Sequence, residues 1–216
     1  MQALTLSHRA LQQLPSAVLT SLLLTTPAAL AQSQGQALLE NYTPVTLEEL
    51  ANPPASDWLM WRGTPNHWAY SPLDQINRDN VDSLRLAWSW TMEPGKQETT
   101  PLVHDGIMFL PQACDFIEAV DATDGTPLWE YRRPTVDHVA PLSCANRNGT
   151  LYKDQLLIAT RDAYIVSLNA TSGEVTWEKE IGDWTVGQHY SGGPQVFNGK
   201  VITGMSGCYY INTSCW

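Results

Sequence analysis

Ala119-Val120-Asp121-Ala122-Thr123-Asp124-Gly125-Thr126-Pro127-Leu128-Trp129 has a second copy in the chain, Ser167-Leu168-Asn169-Ala170-Thr171-Ser172-Gly173-Glu174-Val175-Thr176-Trp177. The copies lie 48 positions apart, and placing Trp129 on Trp177 also places Asp121 on Asn169, Thr123 on Thr171 and Gly125 on Gly173. A unit returning every 40 to 50 residues or so is the mark of a β-propeller blade. Each part of the unit has a physical task. A short apolar strand, Phe116 to Val120 or Ala163 to Leu168, runs into Asp121 or Asn169, whose side chain bonds to the backbone just ahead as in an Asx-turn. Gly125 and Gly173 stand where a tight turn calls for positive φ. The next strand delivers a tryptophan, expected to pack between neighbouring units with its indole N–H on a backbone carbonyl.

Three look-alike hairpins extend the pattern: Leu102 to Phe109, Leu151 to Ile158 and Gln195 to Ile202. Asp105-Gly106 and Asn198-Gly199 are favoured two-residue hairpin turns. After residue 80 no stretch has helical periodicity. Upstream, Val45 to Leu50 reads as a short helix, with Thr46 as N-cap and Glu49 three residues later. The fold class is therefore all-β, a propeller of PQQ-like repeats. About 160 residues follow the lead-in, room for roughly three blades, whereas closed rings use 4–8. An open stack exposes a strand edge, so the expectation is the N-terminal portion of a longer protein.

Residues 1–31 read as a secretory signal peptide: Arg9, an apolar run from Ala17 to Leu24, and Ala29-Leu30-Ala31 as a small-x-small cleavage site. The apolar run is too short to span a membrane, which takes about 20 residues. Residues 32–57 form a polar, proline-containing lead-in expected to wrap the first blade, and residues 58–216 the partial propeller. The formal net charge of −10 argues against a nucleic-acid partner, since phosphate binding needs a basic patch. In an exported protein the four cysteines suggest disulfides. Cys208 and Cys215, seven positions apart, are candidates for a local bond; Cys114 and Cys144 could pair or stay free. No C-x-x-C-H is present, so no c-type haem attaches here.

Trp58-Leu59-Met60-Trp61-Arg62-Gly63, Tyr70-Ser71-Pro72-Leu73-Asp74-Gln75-Ile76-Asn77-Arg78-Asp79-Asn80-Val81 and Leu84-Arg85-Leu86-Ala87-Trp88 resemble the opening of the PQQ-dependent alcohol dehydrogenases, and the AxDxxTGxxxW unit is theirs too. The resemblance runs from about residue 57 to 207. It implies an eight-bladed periplasmic quinoprotein that oxidises alcohols to aldehydes or ketones and passes electrons to a periplasmic acceptor. PQQ would lie on the propeller axis with calcium beside it. The same resemblance supplies the candidate cofactor residues: Glu98 before the Pro101-Leu102-Val103 strand, Arg147 after Cys144, Ser191 in Ser191-Gly192-Gly193-Pro194, and Ser206 with Gly207 fifteen residues on. Arg147 is the candidate fork for a cofactor carboxylate, and Glu98 would meet one through a shared proton or a water.

Two positions depart from the family pattern. Its calcium-ligand glutamate is Tyr209 here, and a neutral phenol is a poor substitute for a hard carboxylate. Its vicinal cysteine pair reads Ser143-Cys144. The family's catalytic aspartate belongs to a later blade, so no catalytic residue is assigned, and the chain alone is expected to be inactive. The alternative is a repeat propeller that has lost PQQ and serves as a binding or assembly scaffold.

Overall fold

A computed structural model describes residues 27–134, 144–147, 149–190 and 192–206. Two four-stranded antiparallel blades and two strands of a third account for the β structure. The first blade is β1 (Leu102–His104), β2 (Ile107–Gln112), β3 (Phe116–Asp121) and β4 (Pro127–Arg132), paired in chain order. The second repeats it with β5 (Gly149–Tyr152), β6 (Gln155–Ala159), β7 (Tyr164–Asn169) and β8 (Val175–Glu180). The hairpin of β9 (Gln195–Phe197) and β10 (Lys200–Ile202) follows.

The repeated motif folds as its residues require. Asp121 Oδ1 accepts from the Thr123 N–H at 2.8 Å and its hydroxyl at 2.6 Å; Asn169 Oδ1 accepts from Thr171 in the same way, at 2.9 and 2.8 Å. The register shifts between Ala119 and Val120 in one blade and between Ser167 and Leu168 in the other, the same place in the repeat. Asp105 and Gly106 (φ 50° and 78°) and Asn198 and Gly199 (φ 50° and 72°) turn their hairpins with both residues left-handed, the twist that suits antiparallel strands.

Glycine is needed at 173 for a second reason. A Cβ there would lie 2.5 Å from the Trp129 ring, and the Trp129 indole N–H donates to the Ala170 carbonyl at 2.9 Å. One blade's tryptophan thus seals the next blade's turn. Trp88 does the same one step earlier, over Gly125 and onto the Ala122 carbonyl at 3.1 Å. Reading the repeat from sequence missed Trp88, because no complete strand–turn–strand copy surrounds it.

The lead-in is built into the core. Leu50 of the lead-in, with Leu59 and Met60 just after it, packs with Leu102, Phe109, Ile117, Leu151, Ile158 and Leu168 of both blades, and burying each such side chain is worth about 1.5–3 kcal/mol. Val45 of the lead-in bridges to Lys153, and Trp58, just after it, bridges to Val103, so this part of the chain reaches both blades. The short helix appears as α2 (Leu47–Ala51) with a complete Thr46–Glu49 capping box. It follows α1 (Pro27–Glu40), a helix that was not expected; it starts inside the stretch read as a leader. Tertiary contact holds it: Gly35 lies under Leu128, and Leu38 covers Gly106.

His104 ties the lead-in down. It is 2% exposed, with Nδ1 2.6 Å from Asp57 Oδ2 and Nε2 2.8 Å from the Thr43 carbonyl. Both ring nitrogens face acceptors, so the ring must carry both protons to satisfy them. Burial opposes that charge. The hydrogen bonds to Asp57 and Thr43 and the nearby Asp105 carboxylate outweigh it, holding the pKa above the ordinary histidine value.

Candidate cofactor site

Antiparallel pairing brings the start of each blade's first strand and the end of its second to one end of the stack. The segments before β1, β5 and β9 and the loops after β2, β6 and β10 meet there. The Thr100 N–H donates to the Arg147 carbonyl at 2.7 Å, joining the segments that lead into β1 and β5. His189 and Ser206 exchange backbone hydrogen bonds at 3.0 and 2.9 Å, and Thr150 Oγ1 donates to the Pro194 carbonyl at 2.5 Å.

A cavity of about 350 Å³ opens among these segments, lined by Arg147, Gly192, Gly193, Thr203, Gly204, Met205 and Ser206. A Cβ built on Gly192 or Gly204 would meet no atom within 4 Å, so both glycines face open space. The Arg147 guanidinium lies 2.6 Å from Glu98 Oε2, and Lys96 pairs with the other carboxylate oxygen. The Lys96 hydrogen bond, assisted by the charge of Arg147, holds the Glu98 carboxyl below the usual carboxylate range. Glu98 is therefore ionised at neutral pH and pairs with both cations, Lys96 and Arg147. Arg147 also lines the cavity. A guanidinium fork, hydroxyls at Thr203 and Ser206 and open glycine walls suit an anionic ligand bearing carboxylates.

Three of the residues singled out from sequence thus converge: Glu98, Arg147 and Ser206. Ser191 and Gly207 lie outside the described residues, as do Ser143, Tyr209 and the proposed Cys208–Cys215 bond. Cys144 is joined to Cys114, 30 positions away, which closes the choice the sequence left open. Spacing alone could not reveal this pair, because the two cysteines meet only when two blades stack. The sequence reading also missed Asp115 and Arg161, buried or nearly so beside that bond together with Asn146 of the run that carries Arg147. Their one sequence signal is a polar run between apolar strands, which reads as an ordinary exposed loop. Among the described residues no group of three or more His, Cys, Asp or Glu is placed to hold a metal ion. None of their helices is long and apolar enough to cross a membrane.

Residues 58–179 match the family described as glucose/ethanol/alcohol dehydrogenase, β-propeller domain. The quinoprotein alcohol dehydrogenase PedH of Pseudomonas putida is 38% identical over 142 residues, covering 64% of this chain and 24% of PedH. The 1-butanol dehydrogenase (quinone) of Thauera butanivorans is 37% identical over 160 residues, 71% of this chain and 26% of that protein. Among solved structures, the quinohemoprotein alcohol dehydrogenase ADHIIG of Pseudomonas putida superimposes with a TM-score of 0.72 at 29% identity, covering 77% of this chain and 25% of that one. The chain spans about a quarter of the length of the curated relatives it matches.

Proposed function

We propose, for a chain that belongs to the glucose/ethanol/alcohol dehydrogenase β-propeller family, that it forms the N-terminal, cofactor-holding part of a periplasmic PQQ-dependent dehydrogenase. The observation that carries this reading is Arg147, paired with Glu98, on the wall of a glycine-lined cavity. Oxidation of an alcohol carbon to an aldehyde or ketone is the chemistry PQQ would supply when bound. The chain's own part is binding and orientation. Arg147 offers a bidentate fork to a carboxylate, and Glu98 keeps that fork turned to the cavity. Ser206, pinned by the backbone pair with His189, offers a hydroxyl. Ser191 and Gly207 complete the candidate set. The donors in this cavity suit an anion and hold no set of hard ligands for a cation, so we assign no calcium ligand among the described residues. We assign no catalytic base; the chain is expected to bind and not to turn over. Export by the leader of residues 1–31 and a periplasmic electron acceptor belong to the same proposal.

Titrating the chain with PQQ and following tryptophan fluorescence tests it. Native protein should bind saturably, and Arg147→Ala should weaken binding by about 10- to 100-fold, the worth of a charged hydrogen bond of roughly 1.5–3 kcal/mol. Equal affinity in the two proteins would sink the reading.

A further inference from the structure

The loop after β2 and the segment before β5 are joined more heavily than a blade contact requires. The Cys114–Cys144 disulfide links them, and the Cys114 N–H donates to the Cys144 carbonyl at 2.6 Å. Next in sequence is Asp115, 2% exposed. Its Oδ1 accepts from Asn146 Nδ2 at 3.3 Å, and its Oδ2 accepts from the Arg161 N–H at 3.0 Å. The Arg161 guanidinium closes the circle: its Nε lies 3.5 Å from Asp115 Oδ2, and another of its N–H groups reaches Cys144 Sγ at 3.2 Å. Cys114 and Asp115 both hold left-handed backbone, at φ 61° and 57°. A left-handed residue other than glycine persists only where its surroundings over-determine it. These contacts lead directly to Arg147, which follows Asn146 in sequence and whose carbonyl is held from the other side by Thr100.

From this geometry we infer that Cys114, Cys144 and Asp115 form a brace that fixes the Asn146–Arg147 main chain, so that Arg147 faces the cavity only while the Cys114–Cys144 bond is closed. The three are positioning residues, and the inference rests on the reading of the cavity as an anion site. Opening the bond takes two electrons and two protons from a dithiol, which leaves thiols at Cys114 and Cys144 and itself closes to a disulfide. The Asn146–Arg147 main chain then keeps only noncovalent partners, Asp115 and Thr100 among them, and the Arg147–Glu98 pair loses its fixed base.

Two readouts on the full chain test the brace. Trypsin cleaves after arginine only where the main chain can leave its place, so the cut after Arg147 reports the segment without any cofactor. Dithiothreitol treatment, or the double substitution Cys114→Ser with Cys144→Ser, should speed that cut at least tenfold. Cleavage after Arg78, in an exposed loop, and the far-ultraviolet circular dichroism should stay unchanged. PQQ affinity should fall about as much as in Arg147→Ala. Should the double variant fail to fold, Asp115→Asn with the bond closed takes its place and should show a smaller shift in both readouts. An unchanged cut rate after Arg147, with free thiols mapped by alkylation at both Cys114 and Cys144, overturns the brace. If the closed chain binds no PQQ but reduction still exposes Arg147 to trypsin, the cofactor reading fails and the brace stands.

Discussion

Trp129 and Trp177 hold the same place in the same repeat, yet the structure treats them differently. Trp129 lies against Gly173 of the next blade, gives its N–H to the Ala170 carbonyl and packs on Phe109 at a centroid distance of 5.9 Å. Trp177 is 37% exposed, and its N–H reaches only as far as the Gln155 side chain of its own blade, at 3.3 Å. The strand that carries it, β8, is exposed at all six positions. The motif encodes a ring ready to seal a neighbouring turn; whether it does so depends on what stands beside it. A residue's energetic worth is therefore set by the interface and not by the motif.

Substitution should make that contrast measurable. In urea unfolding, Trp129→Ala should cost about 3 kcal/mol, the low end for a large aromatic packed against a core, and Trp177→Ala about 1 kcal/mol or less. Equal losses would mean that the tryptophan serves its own blade and not the interface. The two glycines at φ 72° give a second, smaller contrast. Gly173→Ala should cost about 2 kcal/mol, from overpacking against Trp129 together with strained backbone. Gly199→Ala, whose added Cβ would meet nothing closer than the Tyr152 hydroxyl at 3.9 Å, should cost about 1 kcal/mol, from backbone alone. Similar costs at the two sites would remove the ring from the account.

The smallest effect concerns a contact closed by charge instead of ring packing. His104 has its pKa raised in the folded chain, so its contribution is complete below the unfolded value of about 6.5 and is lost as pH rises through the folded value. The groups that set it are Asp57, the Thr43 carbonyl and Asp105. Thermal melts of the native chain should fall between pH 6 and pH 9, and those of His104→Gln should fall less. Parallel curves for the two proteins would show that the lead-in is held by its apolar residues alone.

The blades were legible in the sequence because every step of the repeat is local. Asp121 bonds two residues ahead, Gly125 turns the chain four residues on, and Thr46 caps α2 within one turn. The site was legible only in part. Glu98 and Arg147 are 49 positions apart, and no periodicity connects them; they were found by resemblance to a family, and the structure then brought them within 2.6 Å. Asp115 was not legible, because a carboxylate in a polar loop looks the same whether water or Asn146 satisfies it. Helix α1 escaped for the same reason, since its contacts to β4 and to the β1–β2 turn are distant in sequence.

By itself the sequence determined the class of fold, the spacing of the strands, the turn chemistry and the tryptophan waiting at the end of each unit, because these rest on interactions within a few residues. Only the tertiary structure decided which tryptophan is sealed, which cysteines are joined, that His104 holds the lead-in, and that Arg147 and Glu98 meet at one cavity. Each of those depends on two blades stacking at a distance the chain crosses only when folded, where burial sets the worth of every contact.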